Sequence, residues 1–296
     1  MRLISSGSAL MLAVAGTLLA ADETPTRPPI VGVAHIALET NDMAAERAFY
    51  GTGLGFAELA PGRFKVNDHQ YIDVAANLNS ETQDRLDNVA FETTNLKQLR
   101  AYLAAKGVTV PPALGKDADG NLSLTLTDPD HHNVEFIEYS KGSLQRRNFG
   151  KLMPETRVSQ RIIHVGVTVA DRAAADRFYK DILGFKLTWY GGPTNDTVNW
   201  VDMRVPEGTD WLEYMLENKS PTPKQLGVMH HLALGVPDIQ AGFKTVTGRG
   251  IKPPQPPKIG RDGKWQLNLY DVNYTRAELM EPKPVETPCC SPILNP

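Results

Sequence analysis

A strand-to-helix pattern occurs four times along the chain, and this repeat constrains the fold more than any other feature. Each copy starts with a histidine or an asparagine in a short apolar segment and has Asp or Asn seven residues later. The four pairs are His35/Asp42, Asn88/Asn95, His164/Asp171 and His231/Asp238. Side chains of Asp and Asn accept hydrogen bonds from the free amides at a helix N-terminus. The pattern therefore predicts four buried strands that each lead into a helix.

A second regularity indicates that the chain is duplicated. Each predicted helix ends at a glycine 12 or 13 residues past its capping residue, as helix C-termini favour. These glycines are Gly55, Gly107, Gly184 and Gly250. The spacing between matching residues of the two halves grows from 129 (His35 to His164) to 143 (Glu135 to Glu278), which indicates 14 inserted residues in the second half.

The repeat predicts two homologous α+β domains, each built from two β-α-β-β-β units. The predicted segments are a signal peptide (1–21), a leader (22–30), a first domain (31–141), a linker (142–160), a second domain (161–282) and a Pro-rich tail (283–296). We expect the tail to be loose.

The N-terminal segment has the three parts of a secretory signal. Arg2 supplies the positive charge, Ala9 to Leu19 the apolar run, and Ala20-Ala21 the small-residue cleavage zone. We therefore expect export to the periplasm or the extracellular space, with cleavage near Ala20/Ala21. The apolar run is shorter than a membrane span, and no later segment is long enough to cross a bilayer.

Charge and cysteine content narrow the classes of partner. The net charge of −3 gives no basic surface for nucleic acid. The two cysteines, Cys289 and Cys290, are adjacent in the tail. A strained small-ring disulfide, a free thiol pair and an intermolecular bridge are all open alternatives.

The last strand of each predicted unit carries a carboxylate among apolar residues. These carboxylates are Asp73, Glu135, Glu213 and Glu278. Burying a charge is costly unless the charge is paired or bound to a metal. If the strands of the second domain curl around one cavity, they bring together His164, Glu213, His231 and Glu278. Two imidazoles with one or two carboxylates suit Fe2+, Zn2+, Mn2+, Ni2+ or Co2+.

Other histidines are predicted to lie outside this cluster. Strand alternation turns His230 to the face opposite His231. His131 and His132 occupy a polar turn, where we expect surface positions.

The chain resembles the glyoxalase/bleomycin-resistance/extradiol dioxygenase superfamily, also called vicinal oxygen chelate proteins, over about residues 31–140 and 161–282. The resemblance is carried by the repeated units, by Leu-Gly-Phe after the first helix of each half, and by Asp128-Pro129-Asp130 before Asn133-Val134-Glu135-Phe136. It implies cupped mixed sheets around a divalent metal ion. Carried over by position, the metal ligands are His164, His231 and Glu278, with Glu213 at the fourth position.

The first domain departs from this pattern. It keeps His35, Asp73 and Glu135 but has Asn88 where the second histidine would stand. Asn is a weak ligand for a transition metal, so we expect this domain to be structural, with a degenerate metal site. Some members of the family pair units across domains, which would instead place His35 and Asp73 beside the ligands of the second domain.

These residues predict a metal-dependent enzyme that binds a small substrate through adjacent oxygens, as in a catechol, an α-keto acid, a hydroxy-ketone or a hemithioacetal. Glu213 or Glu278 would act as general base in a lyase or isomerase. A ring-cleaving dioxygenase is the other reaction class, although the stretch around Tyr270 lacks the extradiol His, Pro and Gly. The alternatives are a metal-free protein that sequesters a small molecule and a structural module. A homodimer is left open.

Overall fold

Both halves of the chain form an eight-stranded mixed sheet in the computed structural model, which describes residues 25–216 and 220–294. The predicted signal peptide and its cleavage site lie outside the described residues. Among the described residues, no helix has the length and apolar character needed to span a membrane.

The first domain contains eight strands and two principal helices. Its elements are β1 (Ile30–Glu39), α1 (Met43–Glu46) continuing as a π-helical segment (Arg47–Gly53), β2 (Ala57–Ala60), β3 (Arg63–Lys65), β4 (Tyr71–Ala75), β5 (Leu86–Thr93), α2 (Leu96–Ala105), β6 (Gly115–Lys116), β7 (Leu122–Thr127) and β8 (Asn133–Glu138). A short helix, α3 (Leu144–Arg147), follows in the connection between the domains.

The second domain repeats this order and adds one helix. Its elements are β9 (Ile162–Thr168), α4 (Arg172–Ala175) continuing as a π-helical segment (Asp176–Ile182), β10 (Lys186–Gly191), β11 (Trp200–Arg204), β12 (Trp211–Met215), α5 (Pro223–Met229), β13 (His231–Gly235), α6 (Ile239–Gly248), β14 (Lys258–Ile259), β15 (Trp265–Tyr270) and β16 (Arg276–Met280). Helix α5 lies in the part of the chain where the repeat spacing lengthens.

Each sheet is assembled from two units that meet through their first strands. The strand orders are β2-β3-β4-β1-β5-β8-β7-β6 and β10-β11-β12-β9-β13-β16-β15-β14. The two first strands are antiparallel, and each runs parallel to the last strand of its own unit. The predicted four β-α-β-β-β units and two tandem domains with cupped sheets are confirmed. The pairing places the first and last strands of both units side by side in the middle of each sheet.

Helix starts follow the predicted caps. The carboxylates of Asp42, Asp171 and Asp238 each accept two backbone amides of the following turn, and Asn95 accepts one. Each helix is thereby started immediately after the strand that carries the His or Asn. The predicted terminal glycines all have φ between 79° and 91°, a region that side chains with a Cβ avoid.

The domains contact each other through a reciprocal pair of tyrosines. Tyr50 in the π-helical segment after α1 donates its hydroxyl to Asp271 of the second domain at 3.3 Å, and Tyr179 donates to Asp128 of the first at 2.8 Å. Phe91 and Phe185 also meet edge to face across this boundary, 5.2 Å apart. The duplication therefore extends to the contacts between the domains.

The expectation of a loose tail is wrong for its described residues. The Trp189 indole donates to the carbonyl of Cys289 at 3.2 Å, the Leu294 amide donates to Thr188 at 2.6 Å, and Ser291 is buried. Cys289 and Cys290 are joined to each other in a disulfide. The tail packs against β10 because its backbone satisfies polar groups at the edge of the second sheet.

Candidate metal centre

Three side chains predicted to lie together do converge in the second domain. Ligand atoms of His164, His231 and Glu278 lie within 4.8 Å of one another, and all three residues are buried. His164 Nε2 is 3.0 Å from His231 Nε2 and 3.8 Å from the Glu278 carboxylate. The Glu213 carboxylate lies beside the same two nitrogens, 3.0 Å from His231 Nε2 and 3.8 Å from His164 Nε2.

Strand register explains this convergence. Ala233 of β13 pairs with His164 on one side and Glu278 on the other, while Gly166 of β9 pairs with His231 and with Glu213. These two rows are two residues apart, so alternation puts all four side chains on the same face of the sheet. The repeat residues thus meet because the first and last strands of both units are neighbours.

Gly166 makes room for the second imidazole. A Cβ at this position would collide with the ring of His231. The ring lies over the bare backbone of β9, and its Nδ1 donates to the carbonyl of Met229 at 2.8 Å. Because a carbonyl only accepts, Nδ1 carries the proton and Nε2 presents its lone pair to the other ligand atoms.

Burial sets the protonation of these groups. Desolvation lowers the pKa of His164 and of His231 well below the usual value, and Arg276 contributes to the lowering in both cases. This lowering favours the neutral form of both imidazoles, which metal binding requires. Desolvation raises the pKa of Glu278 to about 7, against an opposing effect of Arg276.

Arg276 is a charged residue of the site that sequence reasoning missed. Its guanidinium Nη2 lies 2.8 Å from His231 Nε2 and 3.9 Å from the Glu213 carboxylate. Arg276 stands two residues before Glu278 on β16, so the alternation used for the histidines would have placed it on the same face.

The ring of His164 packs at a tilt of 38° against an aromatic ring. The ring lies 4.9 Å from the indole of Trp211, and its Nδ1 has no hydrogen-bond partner among the described residues. The ammonium of Lys264 lies 4.5 Å from the centroid of the same indole. Lys264 is itself buried and paired with Asp262 at 3.0 Å. Trp211 therefore contacts both a cation and a candidate ligand.

His164, Glu213 and Glu278 line a cavity of about 260 Å³. Three indoles line it, from Trp189, Trp200 and Trp211. Its charged lining residues are Lys258, Arg261, Arg276, Asp202, Glu213, Asp262 and Glu278. The cavity can receive a small molecule that has both an aromatic part and polar groups.

The first domain contains a related but different arrangement. His35 Nε2 lies 2.9 Å from Asn88 Oδ1 and 3.4 Å from the Glu135 carboxylate. Asp73, which corresponds to Glu213, is paired with the Arg63 guanidinium at 2.7 Å. These residues line a separate cavity of about 310 Å³. The alternative in which His35 and Asp73 join the histidine of β13 is wrong, because β13 pairs with β9 and not with β1.

Two further expectations concern the neighbouring histidines. His230 lies outside the cluster, as predicted, and its Nδ1 is 3.0 Å from the Asp84 carboxylate. The expectation of a surface position is wrong for His132, whose side chain is only 8% exposed. Its ring contacts Asp128 at 3.0 Å and Thr168 at 3.1 Å, because the turn that carries it packs against the second domain.

Comparisons with known proteins agree with this architecture. The sequence matches the family model of the Glyoxalase/Bleomycin resistance protein/Dioxygenase superfamily at residues 32–136 and 161–271. No protein of curated function matches the chain significantly.

Several solved structures share the fold at low sequence identity. The 2,3-dioxygenase LapB from Pseudomonas sp. KL28 has a TM-score of 0.65 at 15% identity, over 89% of this chain and 97% of that one. The Mn(II)-bound glyoxalase from Novosphingobium aromaticivorans has a TM-score of 0.65 at 16% identity, over 86% and 83%. An extradiol ring-cleaving dioxygenase from B. fuscum has a TM-score of 0.64 at 17% identity, over 88% and 74%.

At these identities the structural likeness concerns the fold alone. The family model, in contrast, matches both domains and more than half of the chain. The chain belongs to the Glyoxalase/Bleomycin resistance protein/Dioxygenase superfamily.

Proposed function

We propose that the protein is a metal-dependent enzyme whose second domain binds a small substrate through adjacent oxygens. The observation that carries the proposal is the buried convergence of His164, His231 and Glu278, of which His164 and Glu278 line a cavity. We assign these three residues as metal ligands and Glu213, the second carboxylate, to a fourth position beside them.

The donor set fits a divalent first-row ion. Bonds of about 2.0–2.2 Å place neighbouring ligand atoms roughly 3 Å apart. The nitrogens of His164 and His231 are 3.0 Å apart, and the Glu213 carboxylate is equally close to the second of them. Neutral imidazoles with carboxylates suit Fe2+, Zn2+, Mn2+, Ni2+ or Co2+. Such an ion supplies Lewis acidity that polarises the oxygens of a chelating substrate.

Side chains around the cavity would bind the substrate and transfer the proton. The three indoles around the cavity exclude water and hold the apolar part of the substrate. Glu213 or Glu278 accepts a proton from the substrate carbon next to the polarised oxygens and returns it at the neighbouring position. Glu213 is the better placed of the two when Glu278 is engaged as a ligand. This assignment favours a lyase or isomerase.

A ring-cleaving dioxygenase is the second candidate. The observation in its favour is that LapB and the enzyme from B. fuscum share this fold over most of the chain. A catechol would use the same ligand set and the same indole-lined cavity, with Fe2+ as the required ion.

Metal analysis of the purified protein tests the proposal. We expect about one first-row ion per chain after reconstitution, as three-ligand catalytic sites hold. The His231→Ala variant should lose the ion, whereas His230→Ala, at the adjacent position outside the cluster, should keep it. If the wild-type protein binds no such ion, a metal-free protein that sequesters a small molecule becomes the better assignment.

Two assays then separate the reaction classes. Exchange of the α-proton of hydroxy-ketones or hydroxy-acids with solvent deuterium reports proton transfer. Oxygen consumption with catechols by the Fe2+-loaded protein reports ring cleavage. We expect the exchange assay to respond and to be abolished by Glu213→Gln.

We also propose that the protein acts after export. The support is the composition of residues 1–21, which has the order of charges and apolar residues typical of a secretory signal. The N-terminal sequence of the protein recovered from the producing cell should begin near Ala21. An N-terminus at Met1 would contradict export with cleavage.

A further inference from the structure

We propose that Arg276 binds the carboxylate of the substrate, and that the cavity accepts an aromatic acid whose carboxylate is adjacent to a second chelating oxygen. The inference rests on the proposed function, because it assumes an ion held by the candidate ligands. It adds a specificity-determining residue and a substrate class to that function.

The first step concerns the present partner of Arg276. Its Nη2 lies 2.8 Å from His231 Nε2, and the Glu213 carboxylate, at 3.9 Å, is beyond hydrogen-bond distance. Its Nε is buried and has no hydrogen-bond partner among residues 25–216 and 220–294. A guanidinium with an unsatisfied buried donor is costly unless a ligand supplies the acceptor.

The second step is that His231 has only one lone pair to offer. Its Nδ1 is already committed as a donor to Met229, which leaves Nε2 as the acceptor for Arg276. The same Nε2 faces His164 and is the atom that would bind the ion. Once His231 gives this lone pair to an ion, Arg276 loses its acceptor and presents Nε and Nη2 as two free donors beside the ligand set.

The third step is the shape of those donors. Nε and one terminal nitrogen of a guanidinium form a side-on edge that matches the two oxygens of a carboxylate. A single phenolate or alkoxide oxygen satisfies only one of them. The position of Arg276, within hydrogen-bond distance of a candidate ligand atom, places this carboxylate next to the ion and not at the far end of the substrate.

The fourth step is the charge of the cavity. Three cationic side chains, Lys258, Arg261 and Arg276, face four carboxylates in its lining. A divalent ion changes the small negative excess of the lining into a positive one, and buried Lys264 beside Asp262 adds to it. A net positive cavity favours an anionic ligand over a neutral one of the same shape.

The fifth step concerns the size of the cavity. The volume of about 260 Å³ is near the lower end of the range for ligand sites, roughly 300–1,000 Å³, so the cavity suits one aromatic ring with a short side chain. The three indoles of the lining provide apolar and stacking contacts for that ring. An aryl α-hydroxy or α-keto acid has this ring, the carboxylate and the adjacent oxygen.

The experiment compares a matched pair of probes on the Zn2+-loaded protein. Mandelate carries the carboxylate, and 1-phenyl-1,2-ethanediol has the same skeleton with a hydroxymethyl group instead. Calorimetric titration should show mandelate binding at least about tenfold more tightly than the diol. Catechol is a third probe that reports whether a phenolic chelator is preferred.

Substitution of Arg276 provides the second arm. Arg276→Gln should weaken mandelate binding about 10- to 100-fold, with the diol changed less than about threefold. Arg276→Lys should give an intermediate loss, since the charge stays and the two-donor edge is lost. Arg261→Gln is the comparison variant: it lowers the positive charge of the lining but removes no donor beside the candidate ligands, so mandelate binding should weaken less than about threefold.

Metal binding separates the failure of this inference from the failure of the proposed function. Arg276→Gln should bind Zn2+ at least as tightly as the wild type, because Arg276 competes for the lone pair of His231. Zn2+ binding by the variant also shows that the variant is folded. Three results would overturn the inference while leaving the metal centre intact. They are equal binding of mandelate and the diol, tighter binding of catechol than of mandelate, and an equal loss of mandelate affinity in Arg276→Gln and Arg261→Gln. If the wild type binds no Zn2+, both this inference and the proposed function fail.

Discussion

The ammonium group of Lys264 and the indole of Trp211 form a cation–π pair, with Nζ 4.5 Å from the ring centroid, and the same indole contacts the candidate metal ligand His164. The first domain has the same arrangement with different residues. There the Arg63 guanidinium lies 4.4 Å from the ring of Tyr71, which stacks on His35 at 4.6 Å.

The cations of the two stacks come from different places in the repeat. Arg63 belongs to β3, whereas Lys264 immediately precedes β15. The same set of cation, aromatic ring and imidazole has therefore been built twice, with the rings and histidines at equivalent positions and the cations at non-equivalent ones. Its common effect is to fix the ring of the histidine on the first strand of the unit.

The stack predicts that Trp211 controls metal affinity. Trp211→Leu should weaken Zn2+ binding about 10- to 100-fold, the usual effect of removing a group that orients a ligand. Trp211→Phe should restore most of the affinity, because an aromatic face is what His164 contacts. Competition titration with a chromophoric chelator measures both. Similar losses in the Leu and Phe variants would contradict a role for stacking.

Metal affinity should depend on pH through Glu278. Its pKa is about 7 because it is desolvated, and a proton on the carboxylate competes with the ion. The affinity should therefore rise by about tenfold per pH unit up to pH 7 and level off above it. The lowered pKa values of both imidazoles reduce proton competition at the two histidines. Titrations between about pH 5.5 and 8.5 measure the slope, and a flat profile would show that Glu278 is not a ligand.

Gly166 should be essential for the position of His231. Gly166→Ala introduces a Cβ where the imidazole lies and should weaken Zn2+ binding about 100-fold or more. Gly248→Ala is the control, because a Cβ there meets nothing within 4 Å. The control should keep full metal affinity and change the free energy of unfolding by no more than about 1 kcal/mol. Thermal unfolding of both variants distinguishes lost ligation from lost folding.

The close approach of Gly166 to the ring of His231 predicts how a second metal site could be built in the first domain. Ala37 is the counterpart of Gly166 and pairs with Asn88 in the sheet. Asn88→His alone should remain without a second ion, because the Ala37 methyl group occupies the space for the new ring. The double variant Ala37→Gly/Asn88→His should bind about two ions per chain, with His35 and Glu135 completing the new triad. Metal content of the two variants decides the matter, and equal content in both would refute the steric explanation.

Stability should depend on pH through Glu46. Burial and the nearby Asp271 raise the pKa of Glu46 to about 8, against an unfolded value near 4.5. A carboxyl group with a raised pKa favours the folded state when protonated, so the free energy of unfolding falls as the pH rises from about 4.5 through 8.

Replacing the acid with its amide should remove this dependence. Glu46→Gln keeps an oxygen that can accept the hydroxyl of Thr40 and should stabilise the protein by about 1–3 kcal/mol at pH 8.5, with a smaller effect at pH 5. Glu81→Gln, at an exposed position, should change the free energy of unfolding little at either pH. Urea unfolding at the two pH values measures this difference. A destabilised Glu46→Gln at pH 8.5 would indicate that the carboxylate is ionised and paired.

Local rules were sufficient to predict the units. Asp171 and Asp238 cap helices wherever the chain lies in space, because a cap satisfies amides only two or three residues away. Side-chain alternation along a strand is equally local, so it separated His231 from His230, whereas the meeting of His164, His231 and Glu278 was implied by the family resemblance. Applied to Arg276, the same rule would have found it as well.

The tertiary structure alone decided which units share a sheet. Hydrogen bonding between strands is indifferent to sequence distance, so β9 could in principle pair with β5 as well as with β13, and the sequence left both candidate sites open. It likewise decided that the tail packs on Trp189 and that Lys264 lies behind Trp211, since these contacts join residues far apart in the chain. The sequence by itself determined which side chains each unit presents on its inner face. The packing of whole units determined which of these faces meet, and therefore where the four candidate side chains of the site come together.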